Sequence, residues 1–164
     1  MELPARAAIM GTIYWQLVQQ LDEQCAALLE LMHAQLKEHA AGAALLAIKG
    51  VGTVTAFGFL AEIGEPERFA NCGRLHSYAG LVPRVSQSDD RHSTGHLPED
   101  CNKHLRYLAV CAANSAVRCK GESRAKNAYD RAKRGNDKRA NVAKIAAARK
   151  ILTDVLWAWR DAVK

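Results

Sequence analysis

Residues 43–64 read AALLAIKGVGTVTAFGFLAEIG, in which two apolar segments are separated by Gly50, Val51 and Gly52. The apolar spacing predicts a helix, a tight turn, and a second helix that begins near Thr53. The two glycines allow positive φ angles in the turn and leave backbone N–H groups accessible at the start of the second helix. Such amides bind phosphate oxygens without reading base sequence, so Gly50, Gly52 and Thr53 are candidate nucleic-acid contacts.

This segment resembles a helix-hairpin-helix motif, in which a hydrophobic-x-Gly-x-Gly turn grips the DNA backbone. The resemblance implies a set of core residues in the two helices and the turn: Ile48, Val51, Val54, Ala56, Leu60 and Ile63. The alternative interpretation is a plain helical hairpin with a glycine turn and no ligand.

The remaining sequence patterns predict an all-α fold. Residues 12–39 repeat apolar side chains at seven-residue spacing from Tyr14, with a second apolar set four residues after each. This pattern predicts a long, coiled-coil-like helix that packs on the domain or pairs with another chain. We therefore divide the chain into an N-terminal helical segment over residues 1–42, a candidate coiled coil, and a helical domain over residues 43–164.

Further helices are expected on both sides of a polar loop. Their predicted ranges are 72–80, 102–119 with Asn102 as N-cap, 124–133 and 138–163. The loop over residues 82–101 is rich in turn-forming and basic residues, and a short β-hairpin that pairs Val85 with Leu97 is expected within it. A polar loop on a rigid scaffold is a common location for a functional site.

Composition indicates a globular domain from a reducing compartment. The chain has 164 residues, 49% hydrophobic and 24% charged, which is typical of ordered proteins. No apolar run is long enough to cross a bilayer, and the first residues lack a signal-peptide core, so we expect no membrane partner. The five cysteines form no CxxC pair, which argues against a disulfide framework or a zinc site and favours a cytoplasmic location.

Charge is unevenly distributed along the chain. Residues 118–150 contain twelve Lys or Arg and three Asp or Glu, a local charge of +9, while the remainder carries −3. Such segregation is expected for a polyanion-binding protein, because each Lys or Arg on a phosphate releases condensed counterions. The alternative is a solvated face that only aids solubility. The basic residues expected to contact nucleic acid here are Arg131, Lys133, Arg134, Lys138 and Arg139.

Several ordered blocks together resemble one protein family. They are IKGVG at 48–52, LAEIGEPERF at 60–69, YAGLVPRVSQS at 78–88 and NKHLRYLAVCAA at 102–113. Together with the residues between and around these blocks, the segment 43–157 resembles the C-terminal domain of DEDD-type insertion-sequence transposases. These are relatives of the pilin-gene invertases and of recombinases guided by a bridge RNA.

The resemblance implies a serine nucleophile at Ser88. In the family a Gln-Ser-Gly block supplies this serine, and the block corresponds to Gln87-Ser88-Asp89 here. The serine attacks a DNA phosphodiester and forms a transient phosphoserine link to one strand, which strand exchange then resolves. Ser86 is the rival nucleophile, because it shares a face with Ser88 in an extended segment.

Cationic side chains are needed near such a serine, because negative charge must be stabilised on the phosphate oxygens during attack. The local candidates are Arg84, Arg91, His92, Lys103 and Arg106. Arg106 is the favoured catalytic partner since a helix would hold it rigidly, whereas Arg84, Arg91 and Lys103 are assigned to nucleic-acid binding. Asp89 and Cys101 depart from the family pattern, which usually has glycine at both positions.

The resemblance also implies partners: DNA, a guide RNA as a second candidate, and another copy of the chain through the N-terminal helix. Family members carry an N-terminal RNase-H-like domain with four acidic residues that bind divalent metal. Residues 1–40 show no such acidic tetrad. We therefore expect no cofactor in this chain, with divalent metal only in that separate domain, and we expect the chain alone to bind nucleic acid without completing recombination.

Two other classes of function are compatible with the sequence. The chain could be a catalytically silent nucleic-acid-binding fragment of a truncated transposase, acting through residues 50–54 and 118–150. It could instead be a helical interaction protein whose basic charge is incidental.

Overall fold

The computed structural model describes residues 5–83, 85–88, 91–94, 97–134 and 140–164, and in the segments 85–88 and 91–94 it describes the backbone. These residues form seven α-helices, a 3-10 turn and a two-stranded hairpin, which confirms the predicted all-α fold. The helices are α1 (Ala5–Glu38), α2 (Gly42–Leu46), α3 (Thr53–Ile63), α4 (Cys72–Tyr78), α5 (Lys103–Arg118), α6 (Arg124–Lys133) and α7 (Ala140–Val163), and the strands are β1 (Val85–Ser88) and β2 (Arg91–Thr94).

The short hairpin is present, but its predicted register is wrong. The strands are antiparallel and pair Val85 with Thr94 and Ser88 with Arg91. Leu97, the predicted partner of Val85, lies after β2 and is half-buried. The apolar residues at the two ends of the loop do not set the pairing, because a ladder is made by backbone N–H and C=O groups.

The core is organised around α7, which packs on α5 and α6 and also contacts α2 and α4. Its buried residues recur at three- and four-residue spacing, as one face of a helix requires. They are Ala143, Ala147, Ala148, Ile151, Leu152, Val155, Leu156 and Trp159. Several are alanines, and α5 also buries four alanines, so these helices can pack with closely spaced axes.

Helices α3 and α5 lie antiparallel and in close contact. The turn before α3 packs at Gly50 on Ala112 and Ala116, in the second half of α5. Further along α3, a Cβ atom at Gly58 would lie 2.6 Å from a methyl carbon of Leu108. The start of α3 therefore lies beside the second half of α5, and its end lies beside the first turn of α5.

The predicted core of the α2–α3 hairpin is correct with one exception. Val51, Ala56 and Ile63 are buried, and Ile48 and Leu60 are half-buried. Val54 was expected in the core, but its side chain is 53% exposed. The reason is helical geometry: residues two apart on a helix point in different directions, so Val54 cannot share the face of Ala56.

The long N-terminal helix is anchored to the domain at its last turn. Leu36 is fully buried, and the His39 ring packs edge-on against Trp159 with centroids 5.6 Å apart. Residues 6–31 are exposed along the whole of the preceding helix. The helix begins at Ala5, earlier than predicted, and its exposed apolar residues include Ile9, Ile13, Leu17, Leu21 and Leu28.

Candidate nucleic-acid interface and serine loop

The segment between Tyr78 and Asn102, which we call the serine loop, is closed at its base. Asn102 donates a hydrogen bond of 2.8 Å from its backbone N–H to the carbonyl oxygen of Tyr78. Its side-chain Oδ1 accepts from the N–H of Leu105 at 2.8 Å, so Asn102 is the N-cap of α5, as predicted. One residue thus ends the loop and begins the helix.

Arg106 connects the two arms of the serine loop. Its Nε donates to the Ala79 carbonyl oxygen at 3.2 Å, and its Nη2 donates to the Pro98 carbonyl oxygen and contacts Cys101 Sγ. Gly80, with a φ of 63°, makes room for these groups, because a Cβ atom there would overlap the guanidinium. The structure therefore places Arg106 at the loop base, and its contact with a phosphate stays a prediction.

A second set of hydrogen bonds connects the loop base to α3. Glu62 accepts from Asn102 Nδ2 at its Oε2 and from His104 Nδ1 at its Oε1, both at 2.6 Å. Asn102 Nδ2 also lies 3.2 Å from the hydroxyl oxygen of Tyr78. The hydrogen bond from Asn102, and to a smaller extent the one from His104, lowers the pKa of Glu62 below its usual value. The Glu62 side chain is therefore a carboxylate at neutral pH.

The serine nucleophile predicted at Ser88 is the last residue of β1. The hairpin register places its Cα opposite that of Arg91, the first residue of β2. Ser86, the rival, pairs with Ser93, and Gln87 pairs with His92. The structure thus brings the backbones of Ser88 and Arg91 together. Three other predicted residues, Arg84, Lys138 and Arg139, and the departure from the family pattern at Asp89 lie outside the described residues.

The two glycines of the α2–α3 turn have different environments. Gly50 has a φ of 91° and packs against α5, so both its conformation and its close contact require glycine. Gly52 is extended, with a φ of −102°, and it is the N-cap residue of α3. A Cβ atom at Gly52 would meet nothing within 4 Å. Gly52 is thus exposed and Thr53 is half-buried, and the contact of their N–H groups with phosphate stays a prediction.

Lys49 joins the turn to residues 118–150, which we call the basic segment. Its Nζ donates to the carbonyl oxygens of Lys120 and Glu122, at 3.3 and 3.1 Å, in the connection between α5 and α6. The α2–α3 turn therefore lies against the start of the segment that carries the local charge of +9. On α6 and its C-cap, Arg131 and Arg134 are exposed and Lys133 is half-buried.

The predicted phosphate-binding turn and the serine loop lie at opposite ends of the α3–α5 pair. The turn is beside the second half of α5, and the loop base is at its first turn, where Lys103 is exposed. Ile63 follows Thr53 by ten positions in the helix, which is about 15 Å along the α3 axis. This distance corresponds to four or five base pairs at about 3.4 Å each along a duplex.

Sequence reasoning did not single out Glu62 or Lys49, although each has a sequence signal. Glu62 is the one charged residue in α3, whose sequence is TVTAFGFLAEI. A single carboxylate on an otherwise uncharged helix is expected to have a partner. Lys49 lies inside the hydrophobic-x-Gly-x-Gly turn, but its contact crosses more than seventy residues of sequence, so local patterns could not reveal it.

No group of three or more His, Cys, Asp or Glu side chains that could hold a metal ion occurs among the described residues. In the same parts of the chain, no helix is long and apolar enough to cross a membrane.

Comparison with known proteins assigns the chain to a family. Residues 42–130 match the family described as "Transposase IS116/IS110/IS902 family". The chain is 36% identical over 109 residues to an uncharacterized 44.8 kDa protein of insertion element IS116 from Streptomyces clavuligerus, covering 66% of this chain and 26% of that protein. It is 28% identical over 158 residues to a protein of Pseudomonas aeruginosa named "Probable family 20 transposase", covering 92% of this chain and 45% of that protein.

The chain thus spans less than half the length of these two relatives. The residues that match the family include the α2–α3 turn, the serine loop and the base of that loop on α5. Because the family match covers more than half of the residues of this chain, the chain belongs to the IS116/IS110/IS902 family of transposases.

Proposed function

We propose that this chain is the part of an insertion-sequence transposase that binds DNA and presents Ser88 for attack on a DNA phosphodiester. The observation that carries the proposal is the pairing of the Ser88 and Arg91 backbones across the β1–β2 hairpin. This hairpin belongs to the serine loop, whose base Arg106 holds together. A nucleophile that is positioned before the substrate arrives reacts faster, since the orientation cost has already been met.

DNA binding is assigned to the α2–α3 turn and the adjoining basic segment. The open backbone at Gly52 and Thr53 offers N–H groups at the start of an eleven-residue helix, where the helix dipole favours a phosphate. The hydrogen bonds from Lys49 to the α5–α6 connection hold that turn against the start of the basic segment, which supports a shared DNA-binding surface. Both features recognise the sugar-phosphate backbone, so they supply affinity rather than base specificity.

The proposed chemical step is a transesterification at phosphorus. The Ser88 hydroxyl loses its proton to a base as its oxygen forms a bond to phosphorus, and the bond from phosphorus to one deoxyribose oxygen breaks. The departing deoxyribose oxygen takes up a proton and becomes a free hydroxyl, so the number of phosphodiester bonds is unchanged. Reversal of the same step by another DNA hydroxyl would release the serine and join a new strand.

Arg106 enters the proposal as a positioning residue for the loop. Its guanidinium donates to carbonyl oxygens on both arms, which favours a structural contribution over the direct contact with phosphate expected from the sequence. Arg91 lies opposite Ser88 in the backbone register, which supports it as the group that stabilises charge on the phosphate oxygens.

The proposed partners are DNA, a second copy of the chain through the exposed face of α1, and a guide RNA. Residues 6–31 of α1 are exposed, and their apolar side chains would be covered by pairing with another helix. A divalent metal is proposed for the RNase-H-like domain expected in family members and not for this chain.

Covalent trapping tests the proposal. The complete gene product is incubated with a nicked duplex oligonucleotide that carries the ends of its insertion element, so that attack releases a short fragment and cannot reverse. We expect a protein–DNA adduct that Ser88→Ala abolishes and that the matched control Ser86→Ala retains. An adduct that survives Ser88→Ala would refute the assignment, and loss of the adduct in Ser86→Ala alone would transfer the role to Ser86. Binding without any adduct would support the catalytically silent alternative.

A further inference from the structure

Glu62 and Asn102 form a connection between α3 and the base of the serine loop. Glu62 is near the end of α3, its side chain is 27% exposed, and each of its carboxylate oxygens accepts a 2.6 Å hydrogen bond. The donors, Asn102 and His104, lie at the N-cap and in the first turn of α5. Hydrogen bonds to an ionised acceptor are among the stronger ones in proteins, so this contact constrains the end of the loop.

Asn102 is fully engaged at this junction. Its Nδ2 lies within hydrogen-bond distance of Glu62 and Tyr78, its Oδ1 caps α5 through Leu105, and its backbone N–H closes the loop on Tyr78. A primary amide has two N–H donors and an oxygen acceptor, which matches these contacts. Aspartate at this position could still cap the helix, but it could not donate to Glu62.

We propose that Glu62 is a positioning residue for the serine loop, which it orients by holding Asn102 and His104 against α3. This inference rests on the proposed function of Ser88. Because α3 begins at the turn assigned to phosphate binding, the same helix that would contact the DNA backbone also fixes the loop base at its other end, about 15 Å away. Helix α3 would thereby fix the distance between the bound phosphates and the base of the loop that carries the proposed nucleophile.

Packing of α3 on α5 does not depend on Glu62. The two helices are already in contact through Gly50 on Ala112 and through Gly58 on Leu108. Removal of the carboxylate should therefore leave the fold and the DNA-binding turn in place while it loosens the loop base. This separation makes a positioning role distinguishable from a role in global stability.

The first test measures adduct formation and DNA binding with the same nicked duplex. We expect Glu62→Ala to slow formation of the Ser88 adduct by about tenfold to a hundredfold, because misplacement of a reacting group by about 1 Å has this effect. The dissociation constant for the duplex should change less than about twofold, since the DNA-binding turn is untouched. Glu67→Ala, an exposed glutamate in the 3-10 turn after α3, is the control with the same change of charge.

The second test exchanges donor and acceptor. Asn102→Asp retains an N-cap but places a carboxylate against that of Glu62, and we expect slow adduct formation. Adding Glu62→Gln restores a hydrogen bond in which residue 62 donates and residue 102 accepts. The double variant should therefore form the adduct faster than Asn102→Asp alone. A double variant that is as slow as the single one would contradict the proposed contact.

Amide hydrogen exchange on the chain itself separates the two proposals. In Glu62→Ala the amide of Asn102, which bonds to Tyr78, should exchange at least about tenfold faster, whereas amides in the middle of α5 should be unchanged. Unchanged exchange at Asn102, or faster exchange with an unchanged rate of adduct formation, would overturn the positioning role of Glu62. An adduct that persists in Ser88→Ala would overturn the proposed function instead.

Discussion

Gly50 packs so closely on Ala112 that a Cβ atom at residue 50 would overlap the Ala112 carbonyl oxygen. The same atom would lie 2.6 Å from the backbone nitrogen of Ala116, and the φ of 91° is itself unfavourable for alanine. The left-handed conformation alone costs about 1–2 kcal/mol. We expect Gly50→Ala to reduce the free energy of unfolding by more than about 2 kcal/mol in urea denaturation, because steric overlap adds to that cost.

Gly52→Ala is the matched control and carries a prediction of its own. A Cβ atom at Gly52 meets nothing within 4 Å, and the φ of −102° is accessible to alanine. Alanine is a weaker N-cap than glycine, so we expect a loss of less than about 1 kcal/mol in unfolding free energy. If the backbone here contacts phosphate, the new methyl group should weaken duplex binding despite the intact fold. Equal stability losses in the two variants would contradict the difference in packing.

Asp154 should destabilise the protein at neutral pH. Burial raises its pKa above the usual value of 3.8, and the nearby charges of Arg124 and Lys150 offset this only in part. Arg124 Nη1 lies 2.8 Å from Asp154 Oδ1, yet that oxygen has no aligned hydrogen bond among the described residues. A carboxyl whose folded-state pKa is raised contributes most stability when protonated, and this contribution is lost as the pH rises through the folded pKa.

We therefore expect Asp154→Asn to raise the melting temperature at pH 7, by an amount that diminishes as the pH is lowered toward about 4. Thermal unfolding followed by circular dichroism across this range is the measurement. Asp161→Asn, at an exposed pair with Lys164, should leave the melting temperature nearly unchanged at each pH. A lower melting temperature for Asp154→Asn at pH 7 would show that attraction to Arg124 outweighs the cost of burial.

The sequence predicts the helices better than it predicts the site. Each predicted helix is present because periodic apolar residues and local caps such as Asn102 encode it within a few turns. The hairpin register differs from the prediction because it depends on which backbone groups pair across the loop and not on composition. The exposure of Val54 differs because Val54 and Ala56, two residues apart on one helix, cannot both face the core. The contacts of Glu62 and Arg106 join segments that are distant in sequence, and a single sequence contains no direct record of such pairs.

Helix α1 is expected to have two roles, packing on the domain through Leu36 and self-association through the exposed face that includes Leu28. Leu36 is fully buried against the domain, whereas Leu28, two helical turns earlier, is 55% exposed. Leu36→Ala should reduce the free energy of unfolding by about 2–5 kcal/mol, as expected for a buried leucine. Leu28→Ala should change unfolding of the monomer by less than about 0.5 kcal/mol but weaken self-association in sedimentation equilibrium. Self-association that is unaffected by Leu28→Ala would argue against pairing through this face.

The basic segment should determine the salt dependence of DNA binding. Arg131 and Arg134 are exposed near the end of α6, in the segment whose start lies against the α2–α3 turn. If each contacts one phosphate, the Arg131→Ala/Arg134→Ala double variant should lower the slope of log K against log salt by about 1.8 for a duplex. Fluorescence anisotropy with a labelled duplex, between about 50 and 200 mM salt, gives this slope. Arg6→Ala removes another exposed arginine, about 45 Å along α1 from Leu36, and should leave the slope unchanged. An unchanged slope in the double variant would show that the local positive charge serves solubility and that DNA contacts lie elsewhere.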